Sequence, residues 1–578
     1  TKDPLKITAT VSGSATIVST TLGGAVITCQ TVTGTLDGTT GTATITITDS
    51  VGETVTVTPH SYNSALYGSS LASSRDEAAT VTFTPVSVLN HFVISHAGTG
   101  VNCQPEVVTI TAHKSNHSVI ATTDTITLEA FKDGTGTMRG NWTLNTGSGT
   151  FTPGASDSGT ATYLFVAGDG GQASFNLRYT YPEVVNINVS SGAVTEGSGT
   201  ANNGSEPTPT DSTLEFKNSG FRFTNAANAA VSIGTQISGK ESNVNPGAQT
   251  LALQAIRTDT TTFACVGMFA DNAVVDVEMA FECNNPVACQ AGKDVNITNN
   301  AATTAIAGNA NGSVTGYTSV PLKFTGALSE ATFTFNYPDA GQIRLYARRD
   351  IPLEGGSGSG NLMIGSSNPF VVRPFGFDVQ VTGNPGAVDA TGAVFTVAGS
   401  PFTVTARAVV WGSGDDPNND GVPDGHEITD TNPGNNANLG DNTVTPNYGQ
   451  ELLAAEADVT LTGLLNKPSG GNDPGLTGGT GIGTFSAGSG NTATAQYGEV
   501  GVMEVRAGVA DGDYLGAGQI NGVSGYVGRF RADRFDFVVN TAPQYGAACG
   551  SFTYVDQPFD FSNTPQLTAR ALAAGGTT

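Results

Sequence analysis

Tyr337-Pro-Asp-Ala-Gly341 runs directly into Gln342-Ile-Arg-Leu-Tyr-Ala347, and Tyr497-Gly-Glu-Val-Gly501 runs into Val502-Met-Glu-Val-Arg-Ala507. Each stretch is a tyrosine, a short acidic or glycine turn, and then a run with every second residue apolar. Ile343, Leu345 and Ala347 form one apolar series; Met503, Val505 and Ala507 form the other. That spacing describes a strand with one buried face, because successive strand side chains point to opposite sides of a sheet. A tyrosine just ahead of such a strand is how a β-sandwich turns a corner, the ring packing on the sheet end while its hydroxyl satisfies backbone in the turn. Tyr337 and Tyr497 are therefore read as structural tyrosine corners, with a looser copy from Tyr163 through Gly168 to Phe175 and Leu177. The expected fold is all-β: tandem immunoglobulin-like β-sandwich domains in an extended array.

The composition around these cassettes agrees. Charged residues are 13% of the 578-residue chain, about half the globular average, and its 75 glycines are nearly twice the usual share. Thr, Val and Ile fill the runs between glycines, as at residues 42–48 and 54–57, where β-branched side chains suit a pleated surface. The best helical spacing, at residues 451–458, lasts only a turn or two.

A second element repeats at domain length. Phe375-Gly-Phe377-Asp-Val379 precedes Pro401-Phe-Thr-Val-Thr-Ala-Arg407, and Arg534-Phe-Asp-Phe537 precedes Pro558-Phe559 and Leu567-Thr-Ala-Arg570. An earlier version runs from His91-Phe-Val-Ile94 to Val107-Val-Thr-Ile-Thr-Ala112. Self-similarity at this spacing predicts tandem modules rather than a solenoid. The expected divisions are sandwiches at 1–88 and 89–195, a larger one with the cysteine cluster at 196–374, another at 375–530 carrying an acidic loop, and the incomplete start of a further β domain at 531–578. Arg373 and Arg529 fall at two joints, where an arginine can tie neighbouring domains. Residues 198–211, 355–360 and 469–483 read as linkers or loops by composition. Both ends of the chain look cut from something longer.

Net charge is −25, with no basic cluster, so nucleic acid and anionic lipid are poor partners, and no apolar run approaches a membrane span. Six cysteines fit an oxidising compartment. Cys283 and Cys289 flank a turn-rich Asn-Asn-Pro-Val-Ala loop, and a disulfide is expected between them, with Cys265 as the alternative partner. Closing so short a loop contributes roughly 2 to 2.5 kcal/mol in the chain-entropy model.

The sharpest chemical motif is Asp416-Pro-Asn418-Asn-Asp420-Gly421-Val422-Pro-Asp424-Gly-His-Glu427. Oxygen donors at positions 1, 3 and 5, glycine at 6 and glutamate at 12 match a calcium loop. Asp416, Asn418, Asp420, the carbonyl of Val422, Asp424 and Glu427 would hold a structural Ca2+; the plainer alternative is an Asp/Asn/Gly loop without an ion. The loop resembles those of thrombospondin type 3 and bacterial Asp-rich repeats, which stiffen extracellular proteins. Asp511-Gly-Asp513 is a weaker acidic turn. His91 and His96 lie on one predicted strand and loop, and His113 and His117 on the next, more simply as satisfied histidines than as ligands. Trp142 and Trp411 suit a core more than a sugar platform. No nucleophile elbow, zinc-protease helix or histidine-centred constellation is present, so an enzyme is not expected.

Five runs occur in order: His91-Phe-Val-Ile-Ser-His-Ala-Gly-Thr-Gly-Val-Asn-Cys103, Ile256-Arg-Thr-Asp259, Phe335-Asn-Tyr-Pro-Asp-Ala-Gly341, Ser367-Asn-Pro-Phe-Val-Val-Arg-Pro-Phe375 and Gly528-Arg-Phe-Arg-Ala-Asp-Arg-Phe535. From about residue 89 onward the chain resembles the C-terminal region of MshQ-like proteins, associated with biogenesis of the mannose-sensitive haemagglutinin type IV pilus. Residues 1–88 look like a generic sandwich repeat, and the 416–427 loop is an insertion outside that resemblance. The resemblance implies a secreted, surface-exposed bacterial pilus accessory protein with no catalytic residues. Its expected partners are pilus or surface-filament subunits, including copies of itself. A lectin-like adhesin for glycans or host surfaces, and a fibre subunit joined by strand complementation, are the alternatives.

Overall fold

A computed structural model describes residues 6–11, 16–28, 30–35, 44–48, 54–61, 79–82, 89–115, 118–196, 211–225, 231–351, 361–427, 430–548, 550–558 and 560–576. Among them the regular structure is β-strand, interrupted by three short 3-10 turns. The stretch with the best helical spacing forms only one of these, Ala454–Ala457. No described helix is long and apolar enough to cross a membrane.

The chain divides into two compact units, residues 1–88 and 89–578. The first holds a five-stranded sheet in the spatial order Gly23–Thr28, Thr31–Thr35, Lys6–Val11, Thr54–Ser61 and Ala79–Thr82, and a separate pair, Thr16–Thr20 with Ile45–Thr48. Its core is small: Val11, Ile17, Leu22, Val32 and Val55.

The second unit contains three sandwiches on one plan. An opening strand (His91–His96, Ser219–Asn225, Gly376–Val381) pairs antiparallel with a second strand (Glu106–His113, Leu251–Thr258, Phe402–Val409). The second pairs with a third (Gln172–Arg178, Glu330–Asn336, Ser489–Tyr497). A short hop strand (Thr99–Val101, Gln236–Ile237, Thr396–Val397) leaves that sheet and lies parallel to the closing strand of the opposite one (Leu214–Lys217, Phe370–Arg373, Val527–Arg531). Each closing strand then passes within a few residues into the next opening strand.

Alternation builds these cores. In Phe402–Val409, Phe402, Val404, Ala406 and Ala408 are buried while Thr403, Thr405 and Arg407 are not. Ile343, Leu345 and Ala347 are buried, as are Met503, Val505 and Ala507, on the period predicted from the tyrosine cassettes. Fully burying a side chain such as Ile343 or Leu345 contributes about 2 kcal/mol. Gly365 and Gly522 hold equivalent positions in the second and third modules: a Cβ on either would collide with the carbonyl oxygen of Phe221 or Phe377 on the opening strand.

The first module extends further than its sequence suggests. Leu214–Lys217 pairs with both Val184–Ser191 and Thr99–Val101, so the sandwich closes at residue 217 rather than 195. Composition alone marks 198–211 as a linker, whereas the chain resumes beyond it with a strand of the same sandwich. Residues 198–210 and 355–360 lie outside the described residues. The 469–483 loop contains short strands, Leu476–Gly478 and Gly481–Ile482, along sheet edges.

Beyond the third module, Arg534–Thr541 pairs with Gln566–Leu572 as an opening strand pairs with a second strand. Among the described residues no third strand follows on that sheet. Its alternating apolar face is consequently open: Phe535 is 64%, Phe537 67% and Leu567 63% exposed, where the equivalent Phe377 and Val404 are 0% exposed.

Candidate functional site

The chemistry-bearing residues gather at the joints between sandwiches. At the joint of the second and third modules, Tyr337 follows the third strand and its carbonyl accepts the Gly239 N–H at 2.8 Å, as the Tyr497 carbonyl accepts the Gly399 N–H at 2.7 Å. Both tyrosine rings are buried in the core. Their hydroxyls depart from the expected backbone bonds. Tyr497 Oη points to Asp473 Oδ1 at 3.5 Å, and Tyr337 Oη accepts from Asn447 Nδ2 at 3.3 Å, across the joint.

The Tyr163 copy is placed differently from its sequence reading. Tyr163 Oη accepts the Gly149 N–H at 2.7 Å and donates to Asp169 Oδ2 at 2.9 Å. The residue that follows the third strand of the first module, matching Tyr337 and Tyr497, is Tyr179, whose hydroxyl donates to Glu183 Oε2 at 3.2 Å. The signal was present in Tyr181-Pro-Glu183, an echo of Tyr337-Pro-Asp339 displaced by two residues.

Around Tyr337 the joint buries two acids. Asp339 Oδ1 accepts the backbone N–H groups of Ala340 at 2.9 Å and Asn447 at 3.0 Å. Burial pushes its carboxyl up to about 6, against these bonds and the Lys293 charge. Glu451 accepts from Tyr514 Oη at 2.8 Å and Gly449 N at 2.7 Å, yet burial pushes it up to about 7. Asn285 Oδ1 accepts the Leu452 N–H at 2.8 Å, and Lys293 Nζ donates to the Val444 carbonyl at 3.1 Å.

The 416–427 loop belongs to this joint. Asp416 is 1% exposed. Its Oδ2 accepts from Trp411 Nε1 at 3.0 Å and Gly421 N at 3.2 Å, and its Oδ1 accepts from Asp420 N at 3.0 Å. Asn418 Nδ2 donates to Asp420 Oδ2 at 2.9 Å, and Val422 N donates to Asp420 Oδ1 at 2.8 Å. Asp424 is raised by burial and by repulsion from Glu427, Asp416 and Asp420. Trp411 thus acts as a hydrogen-bond donor to the loop, while Trp142 sits in the first core. Among the described residues no three His, Cys, Asp or Glu side chains converge closely enough to hold a metal.

Cations from the second module face the loop. Arg373 Nη2 donates to the Gly421 carbonyl at 2.8 Å, so this arginine does span the joint. Burial lowers its guanidinium, and the charges of Asp416 and Asp420 oppose that shift. Lys240, buried by Val244 and Pro246, feels Asp416 in the same sense. His426 is held between Ala437 O and Val523 N at 3.1 and 2.9 Å.

The joint of the first and second modules is braced differently. Cys283 bonds Cys289 within the second module, but Cys265 bonds Cys103, 162 residues away in the first. Cys265 is therefore no partner for the close pair: pairing of Cys265–Gly267 with Leu251–Thr258 carries it toward the turn after Thr99–Val101. Beside it, Arg222 Nε meets Glu106 Oε1 at 2.5 Å, both side chains under 5% exposed. Cys29, Cys549 and His117 lie outside the described residues. His91 and His113 face each other across paired strands, rings 5.3 Å apart and edge-on, and His96 bonds Asp211 at 2.8 Å.

No curated protein matches the sequence. Among solved structures, the chain is similar to invasin, a bacterial integrin-binding protein, at 9% identity over 94% of this chain and 75% of that one, TM-score 0.19. It is also similar to the Yersinia pseudotuberculosis adhesin InvE (14% identity, 56% and 69% covered, TM-score 0.14) and the Escherichia coli adhesin FdeC (12%, 62% and 83%, TM-score 0.14). Models of a domain of unknown function, DUF6701, match three consecutive stretches: its first Ig-like domain at 200–366, its second domain at 373–498 and its third at 499–578. The division at 498 falls inside the third sandwich, ahead of its strands Gly501–Val509 and Val527–Arg531. Together the three matches span more than half of the chain, which belongs to the DUF6701 family.

Proposed function

We propose that this protein is a non-enzymatic extracellular component of a bacterial type IV, MSHA-like pilus or surface filament, in which cross-braced sandwiches form a stiff stalk with an adhesive role. The observation that carries the reading is the bracing: a disulfide and a buried ion pair tie the first and second modules, and reciprocal side chain to backbone bonds tie the second and third. Flexible linkage through exposed Gly/Ser segments would serve a tethered enzyme; fixed joints serve a load-bearing rod. Disulfides favour an oxidising compartment. Imaging with gold-labelled antibody on intact cells tests the reading. Label on pili or the outer surface is expected; label confined to the cytoplasm overturns it.

Within that role, we propose a structural Ca2+ for the 416–427 loop. Its ligand spacing supports this reading, as does the Asp424 carboxyl, raised first by burial and then by repulsion from Glu427, Asp416 and Asp420. Binding would need Asp420 to exchange its Asn418 donor for the ion. Chelation is expected to lower the melting temperature and expose residues 411–445 to protease, and Asp420→Ala to mimic it. A chelator that changes neither removes the ion from the account.

A further inference from the structure

Where the three sandwiches of the second unit meet, the described residues line a half-open cavity of about 970 Å³. This is at the upper end of the roughly 300–1,000 Å³ typical of small-ligand sites. One wall is the outward face of the first module's opening sheet, presenting Ser95, Thr109, Thr111 and Gln172. The facing wall is the outward side of the strands Val274–Asn285 and Gly341–Ile351, where Glu282 stands opposite Arg344 in register. The third module contributes Glu456, Leu515 and Gly516.

Among the buried polar atoms on lining residues, Asn284 Oδ1, Asn285 Nδ2 and Arg344 Nε have no hydrogen-bond partner. Asn285 is 1% exposed, and its amide orientation is fixed because Oδ1 accepts the Leu452 N–H at 2.8 Å, leaving Nδ2 as the orphan donor. Burial without a partner is costly for a donor or acceptor, so an occupant toward which these side chains turn would relieve that cost. The neighbouring Glu282 is already engaged, accepting from Tyr346 Oη and the Gly312 N–H, both at 2.5 Å.

The orphan set selects the chemistry of the occupant. It asks for one donor, to Asn284 Oδ1, and two acceptors, for Asn285 Nδ2 and Arg344 Nε. A carboxylate or phosphate cannot donate, and it would enter a space also lined by Glu196, Asp211, Glu282 and Glu456. An ammonium cannot accept. Hydroxyl groups do both. We propose that this cavity is a binding site for a neutral oligosaccharide of two to four sugars, read by Asn284, Asn285 and Arg344. The proposal names a ligand class for the adhesive role put forward above and rests on that role, but not on where the protein sits on the cell.

The test uses the full chain and an array of hexose and N-acetylhexosamine di- to tetrasaccharides alongside uronic and sialic acid glycans. Neutral glycans are expected to bind. The tightest should slow hydrogen exchange in residues 282–285 and 341–346 of the unaltered protein, and Arg344→Gln should weaken it at least tenfold while leaving the melting temperature unchanged. A blank array, binding by acidic glycans alone, or neutral binding without protection of those strands overturns the site and makes the cavity a water-filled joint. Surface labelling of cells with such a blank array would leave the pilus reading standing, and array binding without surface label would do the reverse.

Discussion

The two joints of the second unit do the same job with opposite chemistry. Between the first and second modules the bracing is covalent and ionic: the Cys103–Cys265 bond, the Arg222–Glu106 pair, and Asn102 linking Asn218 and Thr258. Between the second and third it is made of backbone N–H groups delivered to buried acids and amides, Asp339 and Asn285, with Arg373 capping the acidic loop. The first joint includes a covalent bond that a reductant breaks and that mild changes of pH leave alone. No disulfide crosses the second, although Asn285 lies within the loop that Cys283 and Cys289 close, and it holds two carboxyls whose ionisation burial resists. Two failure modes are thereby assigned to two places.

The largest expected effect comes from the long disulfide. In the chain-entropy model a crosslink across 162 residues contributes about 5 kcal/mol, against about 2 kcal/mol for the six-residue separation of Cys283 and Cys289. Replacing Cys103 and Cys265 by serine should therefore lower the first denaturant transition far more than replacing Cys283 and Cys289. Equal losses would mean that the long bond is held in a joint already rigid without it.

Next in size is the ion pair beside that bond. Glu106→Gln removes the counter-charge of a side chain 3% exposed, leaving Arg222 an uncharged amide oxygen beside the Pro105 carbonyl and Gln254 Oε1. Breaking one side of a buried pair costs about 3–5 kcal/mol, whereas an apolar replacement of both is often near neutral. Denaturant unfolding of Glu106→Gln, Arg222→Met and the double variant should show large single losses and a double loss smaller than their sum. Additive losses would show that the two side chains act independently. Burial raises Glu106 while Arg222 opposes the shift, which is the balance that the double variant removes.

How much of this was legible depends on how local the cause is. Strand periodicity is local, so Ile343, Leu345, Met503 and Val505 announce their burial in the sequence. The tyrosine cassettes also mark the third strands of two modules correctly, because ring burial follows from the strand that carries it. The hydroxyl partners were not legible, since Asn447 lies 110 residues from Tyr337 and is brought to it by domain docking. Cys103 was likewise hidden: spacing favours near pairs, and only the hop strand Thr99–Val101 places the turn beside Cys265. The first module's end was missed because its closing strand, Leu214–Lys217, follows a polar stretch that composition marks as a linker. Calcium-loop spacing was plain at 416–427, but the burial of Asp416 under Trp411 and its approach to Arg373 come from packing.

The smallest effect, and the one that most cleanly separates the joints, is the pH response of the second. Both acids have folded values above their ordinary ones, Asp339 at about 6 and Glu451 at about 7. The folded chain therefore holds protons that the unfolded chain releases near pH 4, and stability is greatest at and below that point. Raising the pH from 4 to about 8 makes the folded state ionise these groups in a poorly solvated site, so stability falls across this window and levels off above it. One pKa step corresponds to about 1.4 kcal/mol, which puts the loss on the order of 3 kcal/mol for each acid before their mutual coupling. Because a protonated carboxyl still accepts the Asn447 N–H, the joint keeps its geometry at the acid end, and only the cost of charging it changes. Melting curves between pH 4 and 8 should show this decline in the unaltered protein, a weaker decline in Asp339→Asn, and a weaker one still in Asp339→Asn with Glu451→Gln, where Glu196, pushed up to about 8 by burial and by Asp211, still titrates. Replacing Cys103 and Cys265 by serine should shift all three curves down together without changing their slopes, since the bond removed lies at the other joint. A slope unchanged in the double variant would move the pH response away from these acids, and a slope that vanishes without the Cys103–Cys265 bond would show that the two joints unfold as one.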